Sequence, residues 1–158
     1  MCIRDRSGAT LAICGTVNKS LQRHLENAGT ITWTGTGNVN SNSHDFTNEA
    51  GATFVADGPL WDFISSSGAE TVTEILNLGT IAHTTSTTTL EAVVHDSTAT
   101  SVLDVQAGTL AIASPGSFRH LTGATLQGAG TFNPASISAF SGDVAPGCLL
   151  YTSDAADE

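Results

Sequence analysis

Few residues in this chain could do chemistry, and they are scattered. His44-Asp45 and His95-Asp96 are adjacent pairs, Asp57 and Asp62 stand near one another, and the basic side chains of the central stretch are Lys19, Arg23 and Arg119. Clustered carboxylates could bind Ca²⁺, or act as acid and base on an acidic sugar held by an Arg or Lys. Neighbours on a strand point to opposite faces, so neither His-Asp pair makes a dyad by itself, and solvated turns are the expected setting of both. The five His lack metal-ligand spacing and companion Cys, which argues against zinc, and no Gly- and Asp-rich nonapeptide of the Ca²⁺-binding kind occurs. Thr84-Thr85-Ser86-Thr87-Thr88-Thr89 could order water on a flat face, but no Thr-x-Thr recurs at a fixed period. An exposed strand or loop is expected there. The sequence thus assigns no catalytic, cofactor-binding or metal-ligating residue.

The elements that would position these residues follow a repeat. A Gly, then Thr or Ala-Thr, then an apolar residue recurs as Gly8-Ala9-Thr10-Leu11, Gly29-Thr30-Ile31, Gly51-Ala52-Thr53-Phe54, Gly79-Thr80-Ile81, Gly108-Thr109-Leu110, Gly123-Ala124-Thr125-Leu126 and Gly130-Thr131-Phe132. The first five glycines step by 21, 22, 28 and 29 residues, a range in which each unit stacks on its neighbour. Thr30-Ile31-Thr32-Trp33-Thr34 alternates strictly, so one face is buried and the other solvated, and Thr favours such a pleated surface. Asn27, Asn48 and Asn77 precede a Gly by two or three residues and predict tight turns, with Leu25, Phe46 and Leu76 packing inward just before them. Two stretches stay open between helix and strand: residues 18–28, with Leu21 and Leu25 at helical spacing, and residues 69–78, with Val72, Ile75 and Leu76.

The ends differ from the middle. Met1-Cys2-Ile3-Arg4-Asp5-Arg6 can be written ATG TGT ATA AGA GAC AG, whose reverse complement, read from its second base, encodes Cys148-Leu149-Leu150-Tyr151-Thr152. One sequence explains both termini, and it resembles the adapter that transposase-based sequencing libraries attach to each end of a fragment. Residues 1–6 and 148–158 are therefore expected to be translated adapter, and residues 7–147 an internal slice of something longer. Without those ends three basic residues face eleven acidic ones, a net charge of −8, which would repel nucleic acid and anionic lipid. Cys14 remains alone, so no intramolecular disulfide is expected, and its place after Leu11-Ala12-Ile13 predicts a small buried hydrophobe. No apolar run is long enough to span a bilayer.

Gly108-Thr109-Leu110-Ala111-Ile112, then Thr122 to Phe132, then Ser141-Gly142-Asp143-Val144-Ala145-Pro146-Gly147 resemble the β-strand repeats of bacterial autotransporter passengers and related filamentous surface proteins. The resemblance covers most of residues 25–147. It implies an all-β fold, a right-handed parallel β-helix of about five or six coils, with Leu11, Ile31, Trp33, Phe54, Ile81, Leu110, Ile112, Leu126 and Phe132 in stacked apolar ladders. It also implies a non-catalytic structural or adhesive segment of a long secreted or cell-surface protein, displayed at the bacterial outer membrane. Host or matrix glycans or other surface proteins would be the partners, with neither nucleic acid nor membrane contact. The alternative is a non-catalytic part of a carbohydrate-active, pectin-lyase-like β-helix enzyme, whose catalytic coils would lie elsewhere.

Overall fold

A computed structural model describes residues 7–62, 72–96 and 98–145, and the backbone of Ile3–Arg4 and Leu149–Leu150. Among the described residues twenty-one short strands, numbered in chain order, form three parallel seven-stranded sheets. Sheet A holds β1 (Ile3–Arg4), β4 (Leu25–Asn27), β7 (Phe46–Asn48), β10 (Glu74–Asn77), β13 (Val93–Asp96), β16 (Ser117–His120) and β19 (Ile137–Phe140). Sheet B holds β2 (Thr10–Ile13), β5 (Thr30–Trp33), β8 (Thr53–Ala56), β11 (Thr80–His83), β14 (Val102–Val105), β17 (Thr125–Gln127) and β20 (Asp143–Val144). Sheet C holds β3 (Lys19–Ser20), β6 (Val39–Asn40), β9 (Leu60–Asp62), β12 (Thr87–Leu90), β15 (Thr109–Ile112), β18 (Thr131–Pro134) and β21 (Leu149–Leu150). The chain visits A, B and C in turn and then climbs one level, so each strand pairs with its equivalent one coil away. This is a parallel β-solenoid of about six turns.

Period-two alternation decides what faces inward. In Thr30–Trp33 the two Thr face out while Ile31 and Trp33 are fully buried, as a half-buried strand requires. The register stacks Leu11, Ile31, Phe54, Ile81, Leu103, Leu126 and Val144 into one row of sheet B. On sheet C, Val39, Trp61, Leu90 and Ile112 form another. Where coils two and three meet the core is aromatic, with Trp33 edge-on to Trp61 at 5.7 Å and Phe46 edge-on to Phe54 at 4.9 Å. Each such side chain contributes about 1.5–3 kcal/mol on burial.

Several expectations need correction. Residues 18–28 form no helix: they hold β3 and β4, because Leu25 and Asn27 must both point inward. Within 69–78, Glu74–Asn77 is strand β10, and residues 69–71 lie outside the described residues. Leu76 sits half-buried on the outer face, and Ile75 takes the inward position. Leu11 belongs to the inward row but is 39% exposed, since β2 is the edge strand of sheet B among the described residues. Cys14 is exposed, because it follows the last residue of β2, where the chain turns away from the core. Pro146, Gly147, Cys148 and residues 151–158 lie outside the described residues.

Candidate functional site

A cleft lies at the corner between sheets B and C, where the turns of three successive coils stack. Thr34, Gly35 and Thr36 come from the second coil, Asp57 and Pro59 from the third, and Thr85, Ser86 and Thr87 from the fourth, around a volume of about 390 Å³. Corners collect such residues because the chain must leave β geometry there. Ser86 adopts φ 55°, a left-handed conformation that costs a non-glycine residue on the order of 1 kcal/mol. Gly58 is required by packing: a Cβ there would lie 1.9 Å from the Trp33 ring. Its backbone therefore rests directly on a buried indole.

Asp57 is the ionisable group of the cleft lining, and its oxygens are already engaged. Oδ1 accepts from the Thr84 amide at 2.7 Å, and Oδ2 from the Thr84 hydroxyl at 2.6 Å. Behind it, His83 Nδ1 lies 2.7 Å from the Ala56 carbonyl and 3.2 Å from Asp57 Oδ1, so this nitrogen carries the proton. His83 Nε2 is buried without a hydrogen-bond partner among the described residues. Thr88, inside the same corner, donates to the Gly58 carbonyl at 2.6 Å. The carboxylate thus ties the third coil to the fourth, and the cleft presents hydroxyls and one saturated carboxylate without a Lys or Arg.

The second polar system lies inside the solenoid. Asn27, Asn48, Asn77, Asp96 and His120 occupy one inward row of sheet A and are all fully buried. Each Asn Nδ2 donates to the next residue up: Asn27 to Asn48 at 2.8 Å, Asn48 to Asn77 at 2.9 Å, and Asn77 to Asp96 at 2.7 Å. The second amide hydrogen of each donates to a carbonyl of sheet B, on Thr53, Thr80 and Val102 respectively. Asp96, an acceptor only, ends the run and takes its last bond from His120 Nδ1 at 3.3 Å. His120 Nε2 donates to the Asp143 carbonyl at 3.0 Å. With acceptors at both nitrogens the imidazolium is favoured: burial alone would lower the pKa, but the bonds to Asp96 and Asp143 outweigh it and raise it.

This overturns the solvated-turn setting expected of His95-Asp96. The pair lies on β13, with Asp96 in the core and His95 on the outer face, where its Nδ1 is 2.6 Å from Glu74 Oε1. Burial lowers the His95 pKa, with Glu74 opposing and Arg119 assisting. His44-Asp45 does lie in the loop between β6 and β7, where Asp45 Oδ1 accepts from the Glu74 amide at 2.9 Å. Thr84–Thr87 are exposed as expected, but Thr88 is buried. Asp62 at the C-terminal end of β9 stacks beside Glu91, which follows β12, and burial followed by the Asp62 charge raises the Glu91 pKa.

The structure leaves Asp57, Asp62, His95 and Asp96 at four separate places: a B–C corner, the end of β9, the outside of sheet A and the core. Arg119 neighbours His95 in the sheet A register, while Lys19 and Arg23 belong to the first coil. Among the described residues no three His, Cys, Asp or Glu side chains group to hold a metal, and no helix is long and apolar enough to cross a membrane. The Asn ladder escaped the sequence reading because Asn before Gly signals a turn as readily as a buried row. Comparison with family models finds no match, and neither does comparison with curated proteins or with solved structures.

Proposed function

We propose that residues 7–147 are a non-catalytic structural or adhesive segment of a long exported bacterial β-solenoid, of the kind seen in autotransporter passengers and filamentous surface proteins. The observation that carries this reading is the use to which the carboxylates are put. Asp45, Asp57 and Asp96 each accept hydrogen bonds from a neighbouring coil, so they join coils rather than stand free for a substrate. A stiff rod then offers weak lateral contacts repeated along its length. Glycans of a host or matrix, or other surface proteins, are the partners suited to its Thr-, Ser- and Asn-rich faces. The net charge of −8 over residues 7–147 disfavours nucleic acid and anionic membrane.

The test is incubation of the chain with acidic and neutral polysaccharides, reading both retention on the polymer and release of new chain ends. Retention without release is the expected result. Release of chain ends that is lost in Asp57→Asn would overturn the non-catalytic reading.

A further inference from the structure

We infer that the corner cleft between sheets B and C is a binding site for one or two rings of a neutral saccharide. The cleft sits at a step in the solenoid. The turn joining β5 to β6 runs over residues 34–38, whereas those joining β8 to β9 and β11 to β12 take three residues each, 57–59 and 84–86. The longer turn of the second coil forms one wall, with Thr34 and Thr36, and the fourth coil forms the other, with Thr85, Ser86 and Thr87. The third coil, between them, supplies the floor, and Gly58 lets its turn lie directly on the indole of Trp33, where a Cβ would clash. Asp57 fixes the far wall by accepting from the Thr84 amide at 2.7 Å and the Thr85 amide at 3.3 Å. All three coils lie within the stack, with described coils on either side of them.

The lining selects the ligand. Thr34, Thr36, Thr85, Ser86 and Thr87 are exposed, and among the described residues none of their hydroxyls makes a hydrogen bond within the chain. A hydroxyl both donates and accepts, so five of them around one cleft match the ring hydroxyls of a sugar, which do the same. Pro59, exposed on the floor, offers an apolar ring to the C–H face of a pyranose. Among the described residues no Lys or Arg lines the cleft, and Asp57 brings a carboxylate, so uronates and sulfated sugars are disfavoured. The volume of about 390 Å³ lies near the lower end of the roughly 300–1,000 Å³ of small-ligand clefts, which sets the size at one or two rings. The inference rests on the glycan-binding part of the proposed function and names the chemistry that one of its contacts recognises.

The test is titration of the full ¹⁵N-labelled chain with methyl β-glucoside, methyl β-galactoside, methyl α-mannoside, lactose and cellobiose, with methyl β-glucuronide as the acidic control. At least one neutral sugar should give saturable amide shifts confined to residues 34–36, 57 and 85–87. Thr36→Val and Thr85→Val, made singly and together, remove exposed hydroxyls while keeping side-chain shape, and the pair should weaken binding about tenfold. Thr125→Val, on the outer face of sheet B away from the cleft, should bind as the wild type does, and circular dichroism confirms that each variant is folded. No saturable shift at these residues with any neutral sugar, undiminished affinity in the paired variant, or equal affinity for the glucuronide would each overturn the inference. Retention on polysaccharide that is undiminished in the paired variant would overturn this site and leave the adhesive reading standing. Sugar binding in the cleft without retention on any polysaccharide or surface protein would support the site and overturn the adhesive reading.

Discussion

Replacing Asn77 by Ala removes the central member of the ladder that binds coil to coil. Asn77 accepts from Asn48 Nδ2 at 2.9 Å, and donates to Asp96 Oδ1 at 2.7 Å and to the Val102 carbonyl at 3.1 Å. After truncation, Asn48 keeps its bond to the Thr80 carbonyl but loses one acceptor, and the buried Asp96 carboxylate loses its amide donor. A buried group stripped of its partner costs about 1–3 kcal/mol, and a hydrogen bond to a charged group is worth about 1.5–3 kcal/mol. The two losses predict about 3–5 kcal/mol of destabilisation, a large share of the roughly 5–15 kcal/mol that holds a domain together. Leu76→Ala, one residue away but on the outer face, should cost about 1 kcal/mol or less. Urea titration followed by far-ultraviolet circular dichroism and by fluorescence of the buried Trp33 and Trp61 measures both. A loss below about 1 kcal/mol for Asn77→Ala would refute the view that the ladder holds the stack together.

Other substitutions probe the same stack. His120 faces the Asp96 carboxylate and the carbonyl of Asp143, between Phe118 and Phe140, and its pKa is raised above 6.5. Its contribution is therefore full below about pH 6.5 and lost as pH rises through the folded value, so the stability gap between wild type and His120→Gln should narrow from about pH 6.5 upward in thermal melts. A gap that widens would contradict the pairing. Gly58→Ala drives a methyl into the Trp33 ring and should cost at least about 1–3 kcal/mol, with a shift in tryptophan emission; unchanged emission and stability would contradict that packing. Deleting residues 1–6 and 148–158 removes, among the described residues, the two-residue pairings of β1 and β21, and should leave the circular dichroism spectrum and melting midpoint unchanged; a large loss of structure would argue against the adapter reading.

The solenoid was legible where burial and period agree. Ile31 and Trp33 alternate with Thr, and the first four Gly-Thr units open β2, β5, β8 and β11 one coil apart, so the inward face could be read from the chain; Gly108-Thr109 instead opens β15 on sheet C, and the sixth coil holds two units, so the later spacings do not give the coil length. Leu25 and Phe46 are inward as expected, although the turn assigned to the Asn that follows each of them is the end of a strand. What defeated the reading was registration between coils of unequal length. Asn48 and Asn77 meet across 29 residues, and Asp96 and His120 across 24, separations that no local pattern encodes. The same is true of the corner cleft, where Thr36, Asp57 and Ser86 are adjacent only because three turns of different length stack. His95-Asp96 looked like a surface pair because charged residues usually mark loops. Burial of Asp96 becomes favourable only when Asn77 and His120 stand above and below it.

Long-read sequencing of the source DNA across this locus bears most heavily on the proposal that residues 7–147 belong to a long exported solenoid. The reading frame is predicted to run on beyond residue 147 into further Gly-Thr coils and an export or membrane-anchoring region. A native gene that instead encodes Cys148 to Glu158 followed by a stop codon would contradict it, and the chain would then have to be understood as a small acidic protein in its own right.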